Sequence, residues 1–557
     1  MSATLLGLVL LVVLWLCSKL LSSSRSVKTT KLKGPPSPSW FLGLTQFIAQ
    51  TRAADADREM SDVYEDWAAQ YGPVYQFPVA LGRNKIVLTD PKAVVHFYSS
   101  ERAVYVKTEN DRLFIGKIFG RGVLWAEGEM HKRQRKALTP AFSNAAIRRL
   151  TDVFFDSAHK LKSFWDATLE NSTDGSAIIE VQEWMNRVAL DSIGIAGFSH
   201  DFAYLEGKSS PVTRAFEALQ TIPSSIIADL VFVISATFPF VLNLPTDRMR
   251  LFWELRRSLN VIAERLLEST RREKEGGVAE EFTDKSIIGL LLKSEMATAE
   301  LHMTQEEIVA QNVLLLAGYE TTSVSLTWAL LELARRPEMQ DKLRQELLSK
   351  FPTSDPTWDQ LVSTSELPYL DAVVQETLRT HPPVAETPRI AGCDDVIPLG
   401  TPIVDASGQT ITSLTIAKGT ALVAPIRAIN RSEALWGPQA KEFIPERWLS
   451  DIDVPAKDLQ GHRHLLTFHD GPRTCLGKAF ALCTCRLGRL SDFELSCSLY
   501  SGIQGTPQSV LSVLIRNYIF ELPDPAVKIQ THVAIVPRPK VAGESGARVP
   551  MRVRRVE

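Results

Sequence analysis

Apolar residues recur at three- and four-residue spacing over 62–70, 146–154, 212–219, 251–272, 305–335 and 369–379, the period of a helix with one buried face. Shorter β-like stretches run over 74–79, 85–89 and 411–423, the last around the turn Ala417-Lys418-Gly419. The stretch 305–335 is long for a globular helix. Its middle, Val313 to Gly318, is apolar, which predicts a helix running through the core. The charged stretch 271–281 predicts a solvated loop. No low-complexity spacer and no internal repeat interrupts the chain from Gly34 to about Gly543. The fold class is therefore mainly α with small β-sheets. One large domain is expected over 40–543, followed by a tail at 544–557.

The N-terminus has a different pattern. Residues 3–21 are almost wholly apolar, with Lys19 as the one charge, and this length just spans a bilayer core. A secretory signal would carry a basic segment before the run and a small-residue cleavage site after it. Here the basic residues follow instead: Lys19, Arg25, Lys28, Lys31 and Lys33. That asymmetry favours a retained single-pass transmembrane anchor with the body on the cytosolic side. The segment 22–39, ending in Lys33-Gly34-Pro35-Pro36-Ser37-Pro38, reads as a basic, then proline-stiffened linker.

Composition narrows the function. The chain has 557 residues, a formal net charge of −2, 45% hydrophobic and 23% charged residues, all ordinary for a globular protein. A near-neutral balance argues against a nucleic-acid binder. Six cysteines in this length exclude a disulfide scaffold.

The chemistry concentrates in Phe468-His469-Asp470-Gly471-Pro472-Arg473-Thr474-Cys475-Leu476-Gly477. Gly471 and Pro472 make a tight turn, and Gly477 permits close approach of a backbone or a flat ligand. A helix is expected to begin just after Cys475. A cysteine at a helix N-terminus beside an arginine has a lowered pKa and tends towards thiolate. A thiolate can ligate haem iron, and an arginine can pair with a haem propionate. Taken alone, the same cysteine could be an inert buried residue after a loop.

The window resembles the haem-binding signature Phe-x-x-Gly-x-Arg-x-Cys-x-Gly of the cytochrome P450 family at every fixed position: Phe468, Gly471, Arg473, Cys475 and Gly477. The style is similar to membrane-bound eukaryotic, fungal members. The resemblance implies the cytochrome P450 fold, with haem (iron protoporphyrin IX) held by Cys475 as axial ligand to the iron. Ala317-Gly318-Tyr319-Glu320-Thr321-Thr322 then falls where the family binds oxygen: Thr321 would hold oxygen and its waters, and Glu320 would feed protons. Without the resemblance, these residues read as a solvent-facing Glu and a capping Thr. Glu376 and Arg379 look like the family's Glu-x-x-Arg, joined by Arg447 of Pro445-Glu446-Arg447-Trp448; their implied role is structural. Arg135 matches a propionate-binding arginine, with His131 where the family commonly has Trp. Arg389, after His381-Pro382-Pro383, matches another. Lys132, Arg133 and Lys136 form a basic face suited to an acidic electron donor.

By the same resemblance the reaction is monooxygenation: one oxygen atom of O2 enters a lipophilic molecule, whether terpenoid, steroid, fatty acid or polycyclic aromatic. Secondary metabolism or xenobiotic oxidation is the implied setting. No flavin or nicotinamide fingerprint occurs in the chain. Electrons are thus expected from NADPH through a separate NADPH-cytochrome P450 reductase, with cytochrome b5 as a second partner, at the endoplasmic reticulum membrane. Pocket walls are expected from 105–123, 216–240, 314–317 and 384–387. One segment breaks the pattern: 483–508 is rich in Ser, Gly and Cys, lacks helical period, and replaces the family's glutamate with Thr484. It reads as an insertion splitting a helix. Its Cys483, Cys485 and Cys497 do not have zinc-ligand spacing with Cys475. The competing functions are a haem-thiolate isomerase or dehydratase, and a non-catalytic protein disabled by the insertion. Asn171 and Asn430 lie in glycosylation sequons that a cytosolic body would leave bare.

Overall fold

The computed structural model describes residues 27–40, 43–44, 58–214, 217, 246–275, 287, 301–361, 363–451, 453–481, 506–532, 536–544 and 546–556. The apolar run 3–21, the wall 216–240 apart from Glu217, and most of 483–508 lie outside them. So does half of 212–219. Among the described residues no helix is long and apolar enough to cross a membrane.

The first helix, α1 (Met60–Tyr71), starts at a capping box: the Glu59 and Asp62 side chains each accept from the other residue's backbone N–H. Strands β1 (Val74–Val79) and β2 (Arg83–Leu88) follow as an antiparallel pair. Then come α2 (Pro91–Ser99), β3 (Tyr105–Val106), α3 (Glu109–Phe119) and α4 (Gly128–Leu138). Asp90 and Thr108 cap α2 and α3 through their side-chain oxygens. The expected helix 146–154 is two pieces, α5 (Asn144–Arg148) and α6 (Thr151–Glu170), with a break at Arg149 and Leu150. Strand β4 (Ser176–Glu180), helix α7 (Val181–Phe198) and helix α8 (Asp247–Glu275) come next. Helix α8 reaches Glu275, so residues 271–275 are helical where a loop was expected; residues 276–281 lie outside the described set.

The expected helix 305–335 also divides. Helix α9 (Gln305–Val309) passes through one 3₁₀ turn, Ala310–Asn312, into α10 (Val313–Ala334). Polar side chains hold this joint: Gln311 bonds back to the Glu307 carbonyl at 2.8 Å and across to Gln134 at 3.1 Å. Beyond it α10 is apolar around nearly its whole circumference and therefore buried. Helices α11 (Pro337–Lys350) and α12 (Pro368–Thr380) pack against it.

The remaining strands are β5 (Thr387–Ala391), β6 (Asp395–Val404), β7 (Thr410–Ile416) and β8 (Ala421–Ala424), followed by α13 (Ile426–Arg431). The β-like stretch 411–423 thus supplies two strands to different sheets: β7 pairs with β6, while β8 lies between β2 and β5. After the Cys475 loop, α14 (Lys478–Ala481) and α15 (Thr506–Asn517) form. Residues 506–508, expected inside the insertion, belong to α15. The chain ends in β9 (Tyr518–Glu521), β10 (Ile529–His532), β11 (Arg538–Val541) and β12 (Pro550–Arg555).

Two segments expected outside the domain are part of it. Strand β12 lies between β4 and β9 with Met551 and Val553 fully buried, so 544–557 is no free tail. The linker is docked as well. Leu32 is buried, the Thr30 N–H donates to the Thr415 carbonyl at 2.9 Å, and the Lys33 carbonyl accepts from Gln76 at 3.0 Å. The chain comes so close there that a Cβ on Gly34 would lie 1.7 Å from the Gln76 carbonyl oxygen.

Candidate functional site

The loop from Phe468 to Gly477 folds on itself. The Cys475 N–H donates to the Phe468 carbonyl at 2.8 Å, and Thr474 Oγ1 donates to the Gly471 carbonyl at 2.7 Å. Asp470 accepts from the Gly471 N–H at 2.7 Å. Gly471 has φ +61°, and a Cβ there would lie 2.4 Å from the Tyr98 carbonyl, so only glycine lets the loop pack against α2. Phe468 is buried beneath it.

Cys475 opens into a cavity of about 340 Å³. Its floor is Phe468, Thr474, Cys475, Leu476, Gly477 and Phe480; α10 contributes Val313, Leu314, Ala317, Gly318, Thr321 and Thr322. A Cβ on Gly477 would meet only Phe142, at 3.9 Å, leaving open space beside the thiol. The expectation of a lowered cysteine pKa is not met in the protein alone. Burial raises the Cys475 thiol, outweighing the backbone N–H groups of Gly477 and Lys478 and the cations Arg135 and Lys478, which act the other way. A cation above the sulfur would be needed to complete the thiolate's environment.

The cavity rim is polar. Lys107, His131, Arg135, Arg389, His469 and Arg473 all line it. Arg473 pairs with Glu127 and donates to the Ala126 carbonyl at 3.3 Å. Lys107 donates to Glu127 at 3.2 Å, and Arg389 Nε lies 2.7 Å from Glu101. Burial, reinforced by these neighbouring cations, lowers Lys107 to about 8 and His131 to about 3. His131 is therefore a neutral donor, not part of a charged face. The rim gathers the cations Lys107, Arg135, Arg389 and Arg473 around the carboxylates Glu101 and Glu127. Among the described residues, Arg473 Nε and His469 Nε2 are buried without hydrogen-bond partners. A flat group bearing two carboxylates fits both the open space at Gly477 and this cationic rim.

Other expected residues are placed differently. Thr321 faces the cavity, its hydroxyl donating to the Ala317 carbonyl at 2.7 Å. Glu320 does not line the cavity; it is buried on another side of α10 against Arg538. Of the expected basic face, Lys132 and Lys136 are exposed, but Arg133 turns inward to Glu307 at 2.5 Å. Glu376 and Arg379 are fully buried and bidentate, both bonds 2.8 Å, and Arg447 reaches Glu376 at 3.0 Å. Val384 lines the cavity, whereas Thr387 bonds Tyr98 at 2.9 Å instead. Asn430 is wholly buried and bonded to Thr467 at 2.9 Å, so its sequon cannot carry a glycan in this fold; Asn171 is exposed.

Glu101 and Glu127, which pair with the rim's cations, escaped the sequence reading. Lys107 falls in the expected wall 105–123 and His469 in the cysteine window, but neither has a role legible from the sequence, because no spacing signals their meeting.

Comparison with known proteins follows the same lines. The sequence profile described as Cytochrome P450 matches residues 33–497. The chain is 54% identical over 557 residues to "Cytochrome P450 monooxygenase claP" of Ampulloclitocybe clavipes, covering 99% of this chain and 98% of the relative. It is 54% identical to claQ of the same fungus, covering 98% and 97%, and 34% identical to monooxygenase 205 of Postia placenta, covering 94% and 92%.

Proposed function

The chain belongs to the cytochrome P450 family, and on that premise we propose that it inserts one oxygen atom of O2 into a lipophilic small molecule. It has the family's mainly helical single-domain fold and is a haem enzyme of the monooxygenase class. When bound, haem supplies the oxygen activation, with electrons from NADPH through a separate reductase. The residues' parts are ours to assign. Cys475 would hold the iron, with Gly471 and Gly477 shaping its loop and Phe468 packing under that loop. Arg135, Arg389, Arg473 and His131 would hold the two carboxylates. Thr321 would hold a proton at Oγ1 and position water in the cavity, with Glu320 as the acid that supplies it. Glu376, Arg379 and Arg447 would keep the floor rigid.

The observation that carries the proposal is that one cavity gathers the Cys475 thiol, the Thr321 turn of α10 and a rim that carries Lys107, Arg135, Arg389 and Arg473. The apolar lining by Val123, Val313, Leu314, Ala317 and Val384 supports a terpenoid, steroid, fatty acid or polycyclic aromatic as substrate, since such walls exclude water and offer few hydrogen bonds. Secondary metabolism or xenobiotic oxidation is the setting this reading gives the chain. The apolar run 3–21 and its basic flank support a single-pass anchor in the endoplasmic reticulum membrane with the body cytosolic. There the exposed Lys132 and Lys136 would face the reductase, and cytochrome b5 as a second donor.

The test is reduced carbon monoxide difference spectroscopy on the full chain and on Cys475→Ala, followed by NADPH oxidation and product analysis with reductase and a panel of those four substrate classes. The shifted thiolate band is expected in the parent and absent in the variant, with oxygenated product from at least one class. A normal band without oxygen consumption would favour an isomerase or dehydratase. No band at all would favour a non-catalytic protein.

A further inference from the structure

Two carboxylates stand behind the cations of the cavity rim, and they are used very differently. Glu127 is fully engaged: it accepts from the Lys107 N–H at 3.1 Å and from Lys107 Nζ at 3.2 Å, and it pairs with Arg473. Glu101 is 0% exposed, yet among the described residues neither of its carboxylate oxygens has a hydrogen-bond partner. Arg389 Nε lies 2.7 Å from Oε1 but outside hydrogen-bond geometry, so Nε is unpartnered as well. By contrast Glu376, equally buried, accepts from Arg379, Ile444, Arg447 and Trp448.

Glu101 sits just past the end of α2, its N–H donating to the Tyr98 carbonyl at 3.3 Å, and it does not itself line the cavity. Arg389 does, and so faces two ways. Its Nη1 donates to the Pro388 carbonyl at 2.7 Å and its Nε edge meets Glu101, while the side chain reaches the cavity wall beside Arg473 and Lys107.

A buried carboxyl without hydrogen bonds is costly to keep charged unless a cation stands beside it. Burial raises the Glu101 carboxyl above the usual carboxylate range. Arg389 from β5, Arg473 from the cysteine loop and Lys107 hold it down, and Glu127 adds to the rise. Tyr98, which also faces it from α2, stays neutral because burial raises its hydroxyl. The cations that keep Glu101 charged are therefore rim cations, and any carboxylate that binds at the rim competes with Glu101 for them.

We propose that Glu101 is a positioning residue that acts through Arg389 and carries a proton of its own: when Arg389 takes up a haem carboxylate, Glu101 ceases to be its counterion and binds one proton. The inference rests on the reading of Arg389 and Arg473 as holders of the haem carboxylates. The balance is one proton, taken from water as haem binds and returned to water as it leaves. A group that holds its proton more tightly with haem bound favours binding at low pH, and that contribution is lost as pH rises through the haem-bound titration.

The test uses the full-length haem protein and follows haem loss to an excess of apomyoglobin at stepped pH, for the parent, Glu101→Gln and Arg389→Gln. Gln has the shape of the protonated acid and no proton to lose. In the parent, haem loss should quicken by up to about tenfold per pH unit across the window in which Glu101 gives up its proton. In Glu101→Gln that dependence should vanish, with haem retained as well as in the parent at low pH. A protonated-carboxyl infrared band, present in the parent and missing from Glu101→Gln, should fade over the same window. The parent's slope kept in Glu101→Gln, or haem lost faster by one factor at every pH, would reduce Glu101 to a structural counterion and overturn the proposal. If Glu101→Gln does not fold, the parent alone decides: neither slope nor band overturns the proposal, and both together support it. Unaltered haem retention in Arg389→Gln would instead overturn the reading of the rim, whatever Glu101 does.

Discussion

At Glu376 a carboxylate lies wholly inside the protein, and every charge around it is matched. Arg379 and Arg447 supply charge-assisted bonds, and Trp448 Nε1 adds a third donor at 2.9 Å. Truncating one partner leaves the other charge buried and unpaired, so Arg379→Ala should cost about 3–5 kcal/mol in urea unfolding. Arg447→Ala should cost less, because Arg447 is partly exposed and the Glu376–Arg379 fork survives it. An equal loss for both would show that the fork does not dominate. Residue identities here were legible from the sequence, since Glu-x-x-Arg at helical spacing places both groups on one face. Their depth was not: the same spacing on a surface helix is worth little. Cys475 makes the same point in reverse. The loop was readable, but whether the thiol rises or falls in pKa depends on burial supplied by distant segments.

Among the elements, strand β12 carries the sharpest consequence. Six residues at the end of the chain join β4 to β9, with Val553 opposite Ala177 on one side and Phe520 on the other. Val553→Asp would place an unpaired charge at a fully buried position, so a loss of about 3 kcal/mol or more is expected, read as a fall in melting temperature and in soluble yield. A truly free tail would tolerate the change. Helix periodicity found α1, α8, α10 and α12 but missed α2, α3, α7 and α11, and it did not find the joints. The break before α6 and the 3₁₀ turn before α10 keep an apolar repeat on both sides, and the joint at Gln311 is fixed by Gln134, from another helix. Strand pairing was equally invisible: 411–423 reads as one β-like stretch around a turn, yet its two strands serve different sheets.

For the whole molecule, desolvated neutral histidines weaken the fold in acid. Burial, with Lys478 and Arg463 nearby, lowers His462 from the ordinary 6.5 to about 3. Between those values the unfolded chain binds a proton that the folded chain does not. Stability from this group is thus full above pH 6.5 and is lost as pH falls towards 3. His462→Gln should flatten the stability-versus-pH curve in that window, measured by urea midpoints at stepped pH. An unchanged slope would mean the imidazole is hydrated in the folded protein. His131 and His469 are lowered in the same direction, but they line the cavity, where bound carboxylates would alter them. His462 is the cleaner probe.

The mainly helical class, the single large domain, the thiol-bearing loop and the candidate arginines Arg135, Arg389 and Arg473 were all readable in the sequence alone. These follow from local periodicity and from motifs whose residues are close in the chain. Tertiary structure alone decided that Glu320 turns to Arg538 rather than into the cavity, that Glu101 and Glu127 pair with the rim's cations, and that residues 30–33 and strand β12 are pinned to sheets. Each of those outcomes depends on which distant side chain shares a desolvated space, and desolvation is a property of packed neighbours rather than of spacing along the chain.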